Sequence, residues 1–86
     1  MIADKLQKAL RELLPDAMVQ TLGEERELAA FVVTERFASM PEIQRQRFVW
    51  SELALHLNER EQRQIDFVFT FTPDEWHQAQ AARAAG

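Results

Sequence analysis

"RQIDFVFTFTPDEW", residues 63–76, alternates apolar and polar side chains and then breaks at a proline shortly before a tryptophan. Period-two alternation is the mark of a strand with one buried face. It assigns Ile65, Phe67, Phe69 and Phe71 to one side and Asp66, Val68, Thr70 and Thr72 to the other. The large apolar set is the natural core face, so the three phenylalanines are expected to be buried. Thr72 suits a helix N-cap, Pro73 the first helical position, and Glu75 can bond back to the cap. The chain should therefore switch from strand to helix at Thr72.

Working outward, Ile2, Leu6, Ala9, Leu10, Leu13 and Leu14 recur at three- and four-residue steps. That spacing predicts an amphipathic helix ending at or just before Pro15, with Lys5, Lys8, Arg11 and Glu12 on its wet face. AMVQTL reads as a short strand, residues 23–27 as a polar connection, and LAAFVVTE as a second, more deeply buried strand, the pair forming a hairpin. Phe37 and Met40 fall in a turn before Pro41, which suits the first turn of a long helix reaching about Asn58. Ile43, Trp50, Leu53, Ala54 and Leu57 mark its expected buried stripe. NEREQRQ reads as a charged exit into the last strand, and residues 80–86 as a frayed tail.

Helix, two strands, helix, strand, helix describes an α/β chain of the α+β sandwich type, with helices laid over a three-stranded sheet. A right-handed crossover through the long helix places the last strand parallel to the second, which makes the sheet mixed. The 86 residues suffice for one domain, 1–86. Cysteine is absent, so thiolate chemistry and disulfides are excluded, and no apolar run suggests a membrane span. A cytoplasmic protein is expected. The net charge of −4 disfavours tight non-specific binding to nucleic acid.

The residues offer little to an enzyme. His56 and His77 lie on different predicted helices, so a shared metal site is rejected. Glu24, Glu25 and Glu27 read as a solvated acidic loop. Ser39 and Ser51 lack a His–Asp pattern, and two glycines cannot build a phosphate-cradling loop. Arg36, Arg45, Arg47, Arg60 and Arg63 form the one arginine concentration, either a solvated face or a surface for an anion or a partner. The phenylalanines could serve as a base-stacking platform, but core is the preferred reading for them and for Trp50.

LPDA after the first helix, FVVTERFASMPEIQRQRFVWSELALHL in the middle and TPDEW near the end together resemble the BolA-like family over almost the whole chain. The resemblance implies an α-β-β-α-α-β-α fold like the class II KH arrangement; the nucleic-acid-binding GxxG loop is missing. It also implies a non-enzymatic regulator, associated with stress responses, that pairs with a monothiol glutaredoxin and can share a [2Fe–2S] cluster with it; some members bind DNA. Counting back from TPDEW places Gln64 where the family carries a cluster-ligating histidine. Residues 22–27 hold neither His nor Cys, Gln46 replaces the histidine of the family's Arg-His-Arg, and Asp66 stands where an aliphatic residue is usual. These departures imply no cofactor in the isolated chain, impaired or absent iron–sulfur ligation, and a glutaredoxin complex that either lacks a cluster or carries one held mainly by the partner. The expected working surface comprises Arg36, Arg45, Gln46, Arg47, Arg63, Gln64 and Trp76. Its expected partner is a monothiol glutaredoxin or another cytosolic protein, with weak DNA binding also open; the alternative is a KH-like nucleic-acid-binding transcriptional regulator that uses an arginine face.

Overall fold

The computed structural model describes residues 2–23 and 27–85, so Glu24, Glu25 and Arg26 of the expected acidic connection lie outside the described residues. Helix α1 (Ile2–Leu13) buries Ile2, Leu6, Ala9 and Leu10 and stops short of Pro15, which disfavours helical geometry in the residue before it. Strands β1 (Met18–Leu22) and β2 (Leu28–Val33) form the antiparallel hairpin. Gly23 leaves β1 with φ of 96°, a left-handed conformation that glycine tolerates; a Cβ there would lie 1.9 Å from the Glu27 carbonyl oxygen. A short 3-10 helix (Glu35–Ser39) seats the buried Phe37. Helix α2 (Glu42–His56) follows Pro41, which stands at its N-cap.

Helix α3 (Glu59–Arg63) occupies the stretch whose residues read as a simple charged exit, and it supplies the additional helix that the α-β-β-α-α-β-α order of the family resemblance implies. The Asn58 side chain accepts from the Glu61 N–H at 2.8 Å, while the Glu61 carboxylate accepts from the Asn58 N–H at 2.9 Å. That reciprocal cap offsets the nucleation cost of so short a helix. Strand β3 (Ile65–Phe71) then runs parallel to β2, as the crossover rule required, and the sheet order is β1-β2-β3. Helix α4 (Pro73–Ala85) continues through most of the tail expected to fray.

Thr72 caps α4 as its sequence context suggests: Glu75 N–H donates to Thr72 Oγ1 at 3.1 Å, and Thr72 N–H donates to Glu75 Oε1 at 2.8 Å. The expected core face of β3 needs correction. Leu28 pairs with Ile65 but Ala29 pairs with Phe67, so Asp66 is an extra residue and the strand's parity resets there. Ile65, Val68 and Thr70 face the core, whereas Phe67 is 62% exposed and Phe69 39% exposed. The expected stripe of α2 also needs correction, because Ile43 is 62% exposed and Ala54 is exposed; Arg45, Val49 and Leu53 are the buried positions.

The core lies between α1, α2 and one sheet face, where Leu6, Leu10, Leu14, Leu28, Val32, Phe37, Val49 and Leu53 are almost completely buried. The opposite face carries the rows Leu22–Ala29–Phe67, Gln20–Phe31–Phe69 and Met18–Val33–Phe71. Helix α4 reaches this face through Trp76, whose ring packs at 5.7 Å from Phe31 and 5.3 Å from Phe71. No helix among the described residues is long and apolar enough to cross a membrane.

Candidate functional site

The uncovered sheet face is aromatic. Phe31 and Phe69 stack with centroids 5.1 Å apart and planes 18° apart, and Phe67 continues the stack at 5.6 Å and 25°. Trp76 ends the series on the α4 side. Contiguous exposed apolar surface of this kind is characteristic of a binding face. Around the edge of β3 it meets a groove of about 260 Å³ lined by Glu42, Gln46 and Trp50 of α2 and by Asp66, Phe67, Val68 and Phe69 of β3.

Glu42, Gln46 and Trp50 follow one another at four-residue steps, which puts them on one stripe of α2. Trp50 Nε1 donates to Gln46 Oε1 at 3.1 Å. Gln46 Nε2 donates to the Val68 carbonyl at 2.7 Å and to Glu42 Oε1 at 3.1 Å, and Thr70 Oγ1 donates to the same Glu42 oxygen at 2.8 Å. The amide of Gln46 therefore ties α2 to the outer edge of β3. Glu42 is the groove residue that the sequence did not single out, although the i, i+4, i+8 spacing of Glu42, Gln46 and Trp50 was a signal for it; Asp66 stood out only as a departure from the family strand, and the phenylalanines were expected in the core with an exposed stacking face as the alternative.

Arg45 does not belong to a surface. It is 7% exposed. Its guanidinium donates to the Met40 and Thr70 carbonyls at 2.8 and 3.3 Å and to both Glu75 carboxylate oxygens at 2.6 and 3.1 Å. It also lies 5.7 Å from the Phe37 ring centre. Hydrogen bonding to Glu75 raises its pKa further, and Arg45 in turn holds Glu75 down at about 2, assisted by the Thr72 N–H. The expected arginine surface thus loses one cation, because the bonds of Arg45 join α2 to the turn at Met40, to β3 and to α4.

The remaining expected site residues are dispersed. Arg36 is exposed and lines a separate recess with Leu14, Pro15, Asp16 and Thr34. Arg47 is exposed on α2, and exposed Arg63 lies 3.9 Å from Glu59. No hydrogen bond or ion pair among the described residues joins these three to the Arg45–Gln46 network. Gln64 is half-buried at the C-cap of α3, where its backbone N–H donates to the Glu61 and Gln62 carbonyls. Trp76 is half-buried on the aromatic face.

A cluster shared with a partner would need thiolate or imidazole donors from this chain. At the position the resemblance points to, the donor is the Gln64 amide, and cysteine is absent from the whole chain. His56 shares its surroundings with Lys5, Lys8, Ala9 and Glu12, while His77 is exposed on α4. No group of three His, Cys, Asp or Glu side chains among the described residues could hold a metal ion. The Gln64 position therefore offers neither of the two kinds of donor that a cluster takes.

No family model matches the sequence, and no similar protein was found among curated proteins. The fold does have solved relatives. A BolA protein homologue from Coxiella burnetii superposes with a TM-score of 0.67 and 22% identity, over 84% of this chain and 91% of that one. BolA1 from Arabidopsis thaliana gives 0.65 and 18%, over 87% and 95%. A Bol-like protein from Babesia bovis gives 0.60 and 24%, over 91% and 92%. With its mixed three-stranded sheet and four α-helices matching these neighbours across most of their length, the chain has the BolA-like fold.

Proposed function

We propose that this chain is a non-enzymatic adapter or regulator that works by binding a protein partner, a monothiol glutaredoxin being the first class to test. The observation that carries the proposal is the uncovered aromatic sheet face, on which Phe67 and Phe69 remain exposed beside the α2–β3 groove. A small domain that leaves two stacked phenylalanines partly in water forgoes a fraction of the about 1.5–3 kcal/mol that full burial of each ring is worth, and a partner recovers that fraction on binding. The polar side chains of the neighbouring network are joined to one another, as suits a scaffold more than a reaction centre. In this reading the chain does not ligate an iron–sulfur cluster.

The test is titration of purified chain with a monothiol glutaredoxin, wild type against Phe67→Ala and Phe69→Ala. A saturable complex weakened at least about tenfold by either substitution, a loss typical of an aromatic anchor, is expected. Absence of a complex, or a complex indifferent to both substitutions, overturns the glutaredoxin assignment.

The Phe31–Phe69–Phe67 stack also supports a second reading, a platform for the bases of single-stranded nucleic acid. Salt separates the two. Phosphate-dominated binding falls steeply as salt rises from about 50 to 200 mM, whereas a mostly apolar protein interface changes little.

A further inference from the structure

We propose that the groove between α2 and β3 receives an arginine side chain from a partner protein, with the guanidinium facing Glu42 and Asp66 and an apolar neighbouring residue resting on Phe67 and Phe69. The inference rests on the adapter reading and names the chemistry of the partner's contact.

The argument is one of unused hydrogen-bonding capacity and charge. The side-chain N–H groups lining the groove are committed: the Trp50 indole to Gln46, and the Gln46 amide to Val68 and Glu42. Glu42 Oε1 already accepts from Gln46 and Thr70, so the groove retains Glu42 Oε2, the Asp66 carboxylate and aromatic faces. Glu42 and Asp66 bring two negative charges, and no basic residue lines the groove. The cation paired with Glu42 is Arg45, whose Nη1 is 3.8 Å from Glu42 Oε2. Arg45 is already matched by Glu75 through two bonds, so the groove keeps an excess of negative charge.

A ligand that fits must bring N–H donors, positive charge and a flat or apolar surface together. Guanidinium does all three, because it donates in a planar fork to carboxylates and stacks on aromatic rings with a smaller hydration penalty than an ammonium group. The groove continues onto Phe67 and Phe69, which lie in register with Ala29 and Phe31 on the open sheet face. A residue flanking the arginine would therefore meet an apolar landing surface.

The probe is the blocked peptide acetyl-Leu-Arg-Leu-amide, compared with the same peptide carrying lysine or uncharged, nearly isosteric citrulline. Binding is followed through the Trp50 indole N–H resonance and the backbone amides of residues 66–69. We expect saturable shifts confined to this groove, with affinity about tenfold lower for citrulline and lower for lysine than for arginine. Asp66→Asn, which retains side-chain shape at an exposed position, should weaken the arginine peptide several-fold while leaving the urea midpoint at its wild-type value. Glu42→Gln should weaken the peptide as well, and because Glu42 also accepts from Gln46 and Thr70 its binding is read on protein shown by its own denaturation curve to be folded. No shifts, equal affinity for citrulline, or shifts centred elsewhere would overturn the assignment.

The glutaredoxin titration distinguishes failure of this inference from failure of the adapter reading. A chain that binds glutaredoxin through Phe67 but ignores the arginine peptide sinks the groove proposal alone. A chain that binds the peptide selectively but no glutaredoxin supports the groove and directs the search to arginine-bearing partners of another kind.

Discussion

Arg45 and Glu75 meet through two parallel hydrogen bonds, Nη1 to Oε1 at 2.6 Å and Nη2 to Oε2 at 3.1 Å, across thirty positions of sequence. The partners are unequal, since the Arg45 side chain is buried and that of Glu75 is 45% exposed. Deleting the acid strands a cation inside the protein, whereas deleting the cation returns the acid to water. Glu75→Ala also removes half of the reciprocal cap on α4. We expect Glu75→Ala to cost about 2–4 kcal/mol and Arg45→Met, which keeps much of the buried volume, to cost less. Chemical denaturation decides, and the reverse order would refute the asymmetry.

The same pair sets the acid response. Glu75 titrates at about 2 in the folded chain against an ordinary 4.5, so the unfolded chain takes up its proton first as pH falls. The contribution is complete above about pH 4.5 and is lost as pH drops through about 2. Glu61, held below its usual range by the hydrogen bond from Lys5, contributes with the same sign. Because water screens the exposed part of the pair, the readout is the pH slope of stability rather than an energy assigned to one contact. Glu75→Gln should flatten the fall in denaturation midpoint between pH 4.5 and 2, and an unchanged slope would refute the assignment.

Exposure on β3 predicts a sharp contrast between neighbours. Phe67→Ala should change stability by less than about 1 kcal/mol, since the ring is largely in water. Val68→Ala should cost about 1.5–3 kcal/mol despite its smaller side chain, because Val68 is 4% exposed. Urea midpoints for the two variants test this directly, and a larger loss for Phe67 would place the phenylalanine face in the core after all.

The β3 contrast also marks the limit of what the residues announced. Alternation from 65 to 71 correctly identified a strand, and Thr72-Pro73-Asp74-Glu75 correctly located its end, since both signals are local. Alternation alone cannot say which side is buried when a bulge intervenes. Asp66 moved the parity, and the aliphatic Val68 together with Thr70 turned inward while three heavier rings turned out. Helix α3 was readable in principle, since Asn58 and Glu61 stand at capping-box spacing, but five polar residues suggest a loop until that cap is noticed. The candidate groove brings together Glu42 of α2 and Asp66 of β3, residues far apart in sequence, so their roles depended on packing. Arg45 was conspicuous in sequence, but its burial followed from the joint action of Met40, Thr70 and Glu75.

Gln64 gives the cofactor question a gain-of-function test. Anaerobic reconstitution of the chain with a monothiol glutaredoxin should yield no cluster bridged by this chain's side chains, because a neutral amide is a poor iron donor beside imidazole. Gln64→His is expected to introduce the visible absorption of a bridged cluster. A wild-type bridged cluster abolished by substituting His56 or His77 would show that this chain supplies a donor by another route.

The bonds from Gln46 and Arg45 to the Val68 and Thr70 carbonyls have a consequence for assembly. In a sheet ordered β1-β2-β3, those side chains occupy the outer margin of β3 and obstruct an incoming strand. Strand addition is then directed to β1, and two copies joined there would present an obstructed β3 at each end. Any strand-by-strand growth of the sheet would stop at β3, with Gln46 and Arg45 acting as chain stoppers.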